Sequence, residues 1–202
     1  TPGSGNLRSV VFDGSGGTWT MSSGSLTISE TLTITAGNFN VNAANLTVTG
    51  NTSVSGTLTI SSSAGTNQFT GNVTINNGGT WNNSGNDNPT LSGNLQNDGT
   101  FTAGSGNYVM NGTSKTISGA NTVTIPNLSI GGTGTITNNG TLTVSTALAG
   151  GGSLTNGNSA TLNVAGTPTI ATLVASAANN TVNYTSATQT CKTISYVNLT
   201  VS

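Results

Sequence analysis

The chain has 202 residues, with three Lys or Arg, four Asp or Glu and no His, which gives a formal net charge of -1. Three cations cannot supply the basic face that nucleic-acid binding requires, and no run of residues approaches the roughly 18 apolar positions of a membrane span. Without His there is no conventional catalytic triad, and with a single Cys as well a zinc site is not expected, so we predict no enzyme activity, no metal and no cofactor.

Short apolar–polar–apolar triplets run along the chain and predict β-strands. Each triplet puts two apolar side chains on one face of a strand and a small polar side chain on the other. Gly, Asn and Ser separate the triplets, as turns require, and no segment shows a helical period with strong helix formers. In chain order the triplets are residues 26–28, 32–34, 39–41, 46–48, 58–60, 73–75, 123–125, 128–130, 142–144 and 162–164. The pattern predicts an all-β fold with almost no helix.

The spacing of the triplets predicts how the strands are arranged. Successive apolar pairs start about six to ten residues apart, which is short for a β-sandwich, whose strands recur every 8–12 residues or more. This spacing favours a β-solenoid, or parallel β-helix, whose coils contain two or three short strands each. At about 20 residues per coil the chain would form about ten coils, and at about 4.8 Å per coil a body roughly 45–50 Å long. The alternative is a β-sandwich filament subunit with a donated strand.

The sequence also contains a second, weaker repeat in addition to the regular spacing of the strands. The string Lys-Thr-Ile-Ser occurs at residues 115–118 and again at 192–195, and Asn-Leu-Ser-Ile (127–130) and Asn-Leu-Thr-Val (198–201) follow the two copies. We predict a single solenoid repeat domain over residues 1–202, with related segments near 7–28, 106–130 and 179–202.

These strings carry a resemblance to a known group of proteins. The segment 183–201 resembles the repeats of large bacterial surface proteins of the filamentous-haemagglutinin-like and autotransporter-like adhesin type, which have β-solenoid stalks. The resemblance implies a solenoid fold and an extracellular, cell-surface location. It carries over no catalytic residue, because the repeat has none.

Few side chains are candidates for binding chemistry. Asp87 and Asp98 lie near each other in turn-like contexts, so we predict that they cap turns, with a calcium site built from both carboxylates and backbone carbonyls as the alternative. Cys191 has no partner for an intrachain disulfide, and we expect it to be a small buried hydrophobic residue.

Aromatic and Thr residues offer two further binding surfaces. The aromatic side chains are expected to fill a narrow core, and would form a sugar-stacking stripe if they were exposed. Thr-X-Thr strings could align into a flat array like that of solenoid ice-binding proteins, although Thr is also a preferred outward residue of exposed strands. The aromatic set is Trp19, Phe39, Trp81, Phe101, Tyr108, Tyr184 and Tyr196, and the Thr-X-Thr strings are 31–33, 33–35, 47–49, 57–59, 122–124 and 141–143.

The two ends of the chain provide the main functional prediction. Neither end carries a pattern for a capping helix, and residues 190–201 are typical of a strand to the last position, although solenoid ends normally need polar caps. The chain is therefore either a piece of a longer stalk or a subunit that self-associates into a homopolymer by strand stacking. We predict an extracellular filament subunit or adhesin stalk. A carbohydrate-binding or surface-binding module, with a glycan or cell-surface ligand, and an ice-binding solenoid are the alternatives. The predicted contacts between subunits are Val10, Phe12, Ile194, Tyr196, Leu199 and Val201.

Overall fold

A computed structural model describes residues 5–202, and every regular element in that range is a β-strand. The 23 strands are short because Gly and Asn turns interrupt the chain every few residues. They are β1 Gly5–Leu7, β2 Val10–Met21, β3 Ser25–Ile28, β4 Leu32–Val41, β5 Asn45–Val48, β6 Thr52–Val54, β7 Thr57–Ile60, β8 Asn67–Phe69, β9 Val73–Ile75, β10 Thr80–Asn82, β11 Thr90–Leu91, β12 Leu95–Asn97, β13 Thr100–Thr102, β14 Asn107–Met110, β15 Lys115–Ser118, β16 Val123–Ile130, β17 Thr135–Asn138, β18 Thr141–Ala149, β19 Ser153–Asn156, β20 Thr161–Val164, β21 Thr172–Val174, β22 Thr181–Tyr184 and β23 Asn198–Val201.

Parallel pairing stacks these strands into a prism with three faces. Because β2, β4, β16 and β18 run around a corner from one face to the next, hydrogen bonds join the strands into an 11-stranded and a 12-stranded sheet. Face 1 contains β1, β3, β5, β8, β11, β14, residues 127–130 and residues 147–149. Face 2 contains residues 10–12 and 32–34, then β6, β9, β12, β15, β17, β19 and β21. Face 3 contains residues 18–21 and 38–41, then β7, β10, β13, residues 123–125 and 141–144, β20, β22 and β23.

The chain visits faces 1, 2 and 3 in turn, and each circuit is one coil of a β-solenoid of about ten coils. The predicted fold is therefore confirmed. The β-sandwich alternative is wrong, because every pairing among the described strands is parallel and each strand pairs with the equivalent strand of a neighbouring coil. Both Lys-Thr-Ile-Ser strings lie on face 2, the first as β15 and the second just before the bridge that joins Tyr196 to Ala175.

Along each strand every second side chain points inward, and these side chains fill the interior of the prism. On face 3, for example, Leu142, Leu162 and Val182 form an inward column, and each of them is fully buried. The interior also contains asparagines, whose amide groups bond to the backbone at the corners. Asn138 Nδ2 donates to Asn156 Oδ1 at 2.8 Å and to Thr161 O at 2.9 Å. These bonds satisfy the polar atoms inside a narrow apolar core.

The coil at the C-terminal end is less regular than the others. Residues 185–195 form no strand, and Ala175–Tyr196 is a single bridge where other coils have a face 2 ladder. Only β23 restores regular pairing, on β22 of face 3. We call residues 5–21 the first coil and residues 185–201 the last coil.

Candidate functional site

The first and last coils have strands with an unpaired edge. Within residues 5–202, β1 pairs only with β3, both parts of β2 pair only with β4, and β23 pairs only with β22. Backbone groups on the outer side of these strands therefore have no ladder partner. Such an edge is a template for another strand.

The six predicted contact residues lie on these two coils. Val10 and Phe12 are on face 2 of the first coil, where they pair with the buried residues Leu32 and Ile34. Both side chains pack against the core and are half-buried. Their position continues the inward column of face 2.

The other four residues lie on the last coil. Leu199 and Val201 of β23 pair with Val182 and Tyr184, which are fully buried, so they continue the inward columns of face 3. They are nevertheless 44% and 60% exposed, because no further described strand covers them. Ile194 and Tyr196 on face 2 are half-buried and pack against the core. The structure thus places the two sets at opposite ends of the solenoid.

Sequence reasoning missed two residues that belong to the same surface. Leu7 of β1 pairs with the buried Ile28 and is 47% exposed, and Trp19 pairs with the buried Phe39 and is half-buried. Leu7 could have been found, because Asn6-Leu7 repeats the Asn-Leu pair of residues 45–46, 127–128 and 198–199. Trp19 could have been found as the centre of a Thr-Trp-Thr triplet.

Polar contacts hold the irregular last coil in place. The hydroxyl groups of Tyr184 and Tyr196 lie 2.9 Å apart, Lys192 N donates to Tyr184 Oη at 3.0 Å, and Tyr196 Oη donates to Lys192 O at 2.7 Å. Burial, together with the bond to Tyr184, raises the pKa of the Tyr196 hydroxyl above its ordinary value. The group stays neutral at physiological pH, so the surface of the last coil gains no negative charge from it.

Charged groups are sparse at both ends. In the first coil Arg8 pairs with Glu30 of the following coil, an exposed ion pair that contributes little to stability. In the last coil Lys192 Nζ donates to Ala171 O at 3.2 Å. Apolar side chains and backbone groups therefore dominate the two surfaces.

The aromatic side chains point into the prism. Trp81 packs edge-on against Phe69 and stacks with Phe101, with ring centroids 5.1 and 5.8 Å apart. Phe39, Trp81, Tyr108 and Tyr184 are buried, while Trp19, Phe101 and Tyr196 are half-buried against the core. The predicted filling of the core is confirmed, and this set forms no outward stripe for stacking on sugars.

Face 3 carries a regular polar array on its outer side. Its outward positions hold only Thr or Asn, in two columns that run along the axis. Asn183 Nδ2 donates to Asn163 Oδ1 at 2.8 Å, and Asn163 Nδ2 donates to Thr143 Oγ1 at 2.9 Å, which ties neighbouring coils together. The columns are Thr18, Asn38, Thr57, Thr80, Thr100, Thr122, Thr141, Thr161, Thr181 and Asn198, and Thr20, Asn40, Thr59, Asn82, Thr102, Thr124, Thr143, Asn163, Asn183 and Thr200.

The array differs from the one expected from Thr-X-Thr strings. Of those strings, 57–59, 122–124 and 141–143 lie on face 3. Residues 31–33 and 33–35 lie at face 2 and residues 47–49 at face 1, so they do not extend the array. Thr18-Trp-Thr20 and Thr100-Phe-Thr102 also lie on face 3, and Asn replaces Thr at the six other sites 38, 40, 82, 163, 183 and 198, which hid the regularity in the sequence.

The two candidate carboxylates lie at different corners. Asp98 is at the bend between faces 2 and 3, where it accepts hydrogen bonds from Ala120 N at 2.8 Å and Gln96 Nε2 at 2.6 Å. These bonds lower the pKa of Asp98, as expected of a residue that caps a turn. Asp87 is between faces 3 and 1, so the calcium site built from both carboxylates is not formed. Residues 5–202 contain no cluster of three metal-ligating side chains.

Asp87 is also predicted to cap a turn, but its side chain is buried in the prism. It is 2% exposed, and its Oδ2 accepts a hydrogen bond from Asn67 Nδ2 at 3.0 Å inside the prism. Burial raises the pKa of this carboxyl, and the bonds from Asn67 and Asn88 offset part of that effect. The Asp87 backbone N donates to Asn83 Oδ1 at 3.0 Å, and Asn83 Nδ2 and Trp81 Nε1 donate to the Tyr108 hydroxyl. Asp87 is thus part of a structural network.

A cleft of about 430 Å³ lies where the last coil separates from the coil before it. Leu173, Cys191, Lys192 and Ile194 are among the residues that line it. Cys191 is half-buried rather than buried as predicted, because residues 185–195 do not pack as a strand on the preceding coil. The described chain has no helix that could cross a membrane.

Comparison of the chain with protein-family models, with curated proteins and with solved structures finds no match. The resemblance to bacterial surface repeats, the extracellular location and the absence of enzyme activity therefore stay predictions.

Proposed function

We propose that this chain is an extracellular structural protein, the subunit of a surface filament or the stalk of an adhesin, that joins end to end by β-strand stacking. The observation that carries the proposal is the exposure of core-type side chains on unpaired strand edges at both ends of the prism: Leu7 on the first coil, and Leu199 and Val201 on the last. The extracellular location is supported by the resemblance of residues 183–201 to bacterial surface repeats.

Two energetic terms favour the end-to-end contact. Full burial of a Leu or Val side chain is worth about 1.5–3 kcal/mol relative to exposure. Stacking also gives the free N–H and C=O groups of β1, β2 and β23 hydrogen-bond partners, which unpaired edges lack. Because the whole chain has three basic and four acidic side chains, salt has few charge interactions to screen at such a contact.

The test is electron microscopy of the purified 202-residue chain over a dilution series, with two single-residue variants. The unmodified chain is expected to form fibres with an axial repeat near the roughly 45–50 Å length of ten stacked coils. Leu199→Asp places a carboxylate on the inward side of β23, where stacking would bury it without a partner, and should abolish fibres. Thr200→Asp adds the same charge to the outward side of the same strand and should retain fibres.

Isolated rods of the unmodified chain at every concentration would overturn the proposal. Equal loss of fibres in both variants would show that charge alone, and not the inward apolar surface, controls assembly. Circular dichroism of both variants checks that each has kept its β structure.

A second candidate function rests on face 3, where two columns of Thr and Asn repeat at every coil. Hydroxyl and amide groups there recur about 4.8 Å apart between coils and about 6.6 Å apart along a strand. A rigid, uncharged lattice of this kind can hold water molecules in fixed positions. The candidate activity is binding to ice.

A further inference from the structure

We infer that subunits join head to tail in one rotational register, in which each face of one subunit continues into the same face of the next. This inference rests on the proposed end-to-end assembly and specifies its geometry. The partner of the last coil is the first coil of a second copy of this chain.

The polarity of the contact follows from the direction of the strands. Every strand pair among the described residues is parallel, and all coils run around the axis in the same sense. Contact between the last coil of one copy and the first coil of another continues this parallel pairing. A symmetric contact between two first coils or two last coils would reverse the strand direction, so the favoured interface is of the heterologous, fibre-forming type.

Three rotations of one copy relative to the next are compatible with a three-faced prism, and the faces differ in what they offer. On the first coil, face 3 has two inward side chains, the half-buried Trp19 and Met21, which is already buried, and face 2 has the half-buried Val10 and Phe12. Among the described residues, face 1 presents β1, in which Leu7 is the one inward apolar side chain. Face 1 of the first coil therefore has the fewest inward apolar side chains in the described part of the chain.

The last coil shows the same inequality between its faces. Face 3 ends in the four-residue strand β23, with Leu199 and Val201 inward, and face 2 ends in Ile194 and Tyr196. The segment that precedes Ile194, residues 185–192, forms no strand to extend face 1. Face 1 is thus the weakest face at both ends.

Only the continuous register sets faces 2 and 3 of the last coil, which carry inward apolar side chains, over faces 2 and 3 of the first coil. It sets Leu199 and Val201 over Trp19 and Met21, and it sets Tyr196 over Phe12, which already stacks on Phe39 with ring centroids 4.3 Å apart.

Rotation by one face is worse in either direction. In one direction β23 lies over β1, where Gly5 leaves Leu199 without a side-chain partner. In the other direction the irregular segment 185–192 lies over Trp19 and leaves its ring uncovered.

The register also determines which outward residues become neighbours across the junction. Thr200 of one copy would lie beside Thr20 of the next at the strand spacing of about 4.8 Å, a Cα separation that a disulfide can span. The two other rotations would place Thr200 beside Asn6 of β1 or beside Val11 of β2. Each of these three partners faces outward on its strand, since Asn6 pairs with Thr27, Val11 with Thr33 and Thr20 with Asn40.

Cysteine cross-linking separates the three registers. Three double-cysteine variants are made in a Cys191→Ala background: Thr20→Cys/Thr200→Cys, Asn6→Cys/Thr200→Cys and Val11→Cys/Thr200→Cys. Each variant is assembled, imaged for fibres, oxidised and run on a non-reducing gel. Only the Thr20/Thr200 pair is expected to give a ladder of covalent multimers. The two positions are too far apart within one chain, at roughly 45 Å for about ten coils, to link internally.

The outcomes distinguish the register from the assembly itself. Fibres with a ladder only from the Asn6 or Val11 pair would overturn the register and leave end-to-end assembly intact. Covalent dimers from Thr200→Cys alone would indicate a symmetric contact and overturn the polarity. If the unmodified chain forms no fibres, the proposed assembly and the register both fail. Where cysteines themselves block assembly, cryo-electron microscopy of unmodified fibres decides, because face 3 runs straight through the junction only in the continuous register.

Discussion

Asp87 is the residue whose environment departs furthest from its sequence context. The string Gly-Asn-Asp-Asn-Pro is typical of a turn, and the backbone does turn there, but the side chain points inward beside Asn67. Sequence alone could not give this direction, because it depends on how the corner between faces 3 and 1 stacks on the coil before it. A carboxylate inside the prism loses its hydration, which disfavours the charged form.

Asp87→Asn should stabilise the protein at neutral pH. The raised pKa means that the folded chain binds a proton more readily than the unfolded chain. The stability that this group contributes is therefore complete below the unfolded pKa near 3.8 and is lost as the pH rises through the raised pKa of the folded state. The amide removes the buried charge, and we expect a rise in Tm of about 2–4 °C at pH 7, the effect of about 1 kcal/mol in a domain of this size.

Asp98→Asn is the matched control for this prediction. Bonds from Ala120 and Gln96 lower the pKa of Asp98, so its contribution is present above the unfolded pKa and is lost on acidification. Thermal unfolding followed by circular dichroism between pH 3 and pH 8 should show Asp87→Asn gaining stability towards neutral pH and Asp98→Asn gaining none. A fall in Tm for Asp87→Asn at pH 7 would mean that the ionised carboxylate stabilises the network.

Strands of this chain were predictable where both inward positions are apolar. All ten triplets, such as residues 58–60 and 162–164, lie within strands. Strands in which Asn replaces one inward residue were not recognised, as in β8 with Asn67 and β19 with Asn156. A buried Asn is tolerated there because its amide bonds to the backbone, as when Asn156 Nδ2 donates to Thr181 O at 2.9 Å. A period-two apolar pattern does not detect this substitution.

The corners between strands depend on close backbone approach. Gly50 follows β5 at the corner between faces 1 and 2, and a Cβ built there would lie 1.4 Å from Glu30 O of the preceding coil. Any side chain at this position must push two coils apart. Gly132 also lies in a turn, but a Cβ there would meet nothing within 4 Å.

Gly50→Ala should therefore destabilise the solenoid, and Gly132→Ala should not. For Gly50→Ala we expect a loss of about 1–3 kcal/mol from overpacking, or more because the neighbouring atom is backbone. For Gly132→Ala we expect no loss, or a gain of up to about 1 kcal/mol from reduced freedom of the unfolded chain. Urea denaturation of the two variants and of the unmodified chain measures both changes in the free energy of unfolding. Equal stability of the two variants would show that the corner at Gly50 relaxes without cost.

At the scale of the whole molecule, the solenoid was predictable from the spacing of short strands, whereas the arrangement of its surfaces was not. The location of Ile194, Tyr196, Leu199 and Val201 at one end follows from their place in the sequence. The Thr and Asn columns of face 3 depend on the register between coils, which the unequal turn lengths concealed.

The polar array gives a prediction for the second candidate function. If face 3 binds ice, the unmodified chain should slow ice recrystallisation, and Thr143→Lys should reduce this effect because a long charged side chain would rise from the middle of the array. Thr137→Lys makes the same change on the outward side of β17 on face 2 and should have no effect. Crystal growth is followed by cold-stage microscopy. If ice recrystallises as fast with the unmodified chain as in buffer alone, ice binding is excluded.

The irregular last coil has a mechanical consequence. Hydrogen bonds between coils lie along the long axis of the prism. A force that pulls its two ends apart therefore acts equally on every junction between successive coils. The junction before the last coil has the β22–β23 ladder and one bridge at Ala175, where most other junctions have a ladder on each face. Because this junction has fewer backbone hydrogen bonds, we expect it to be the first within a subunit to open under tension, and residues 185–195 would then extend. A fibre built of such subunits would extend by releasing short lengths of chain near each joint before any complete coil is lost.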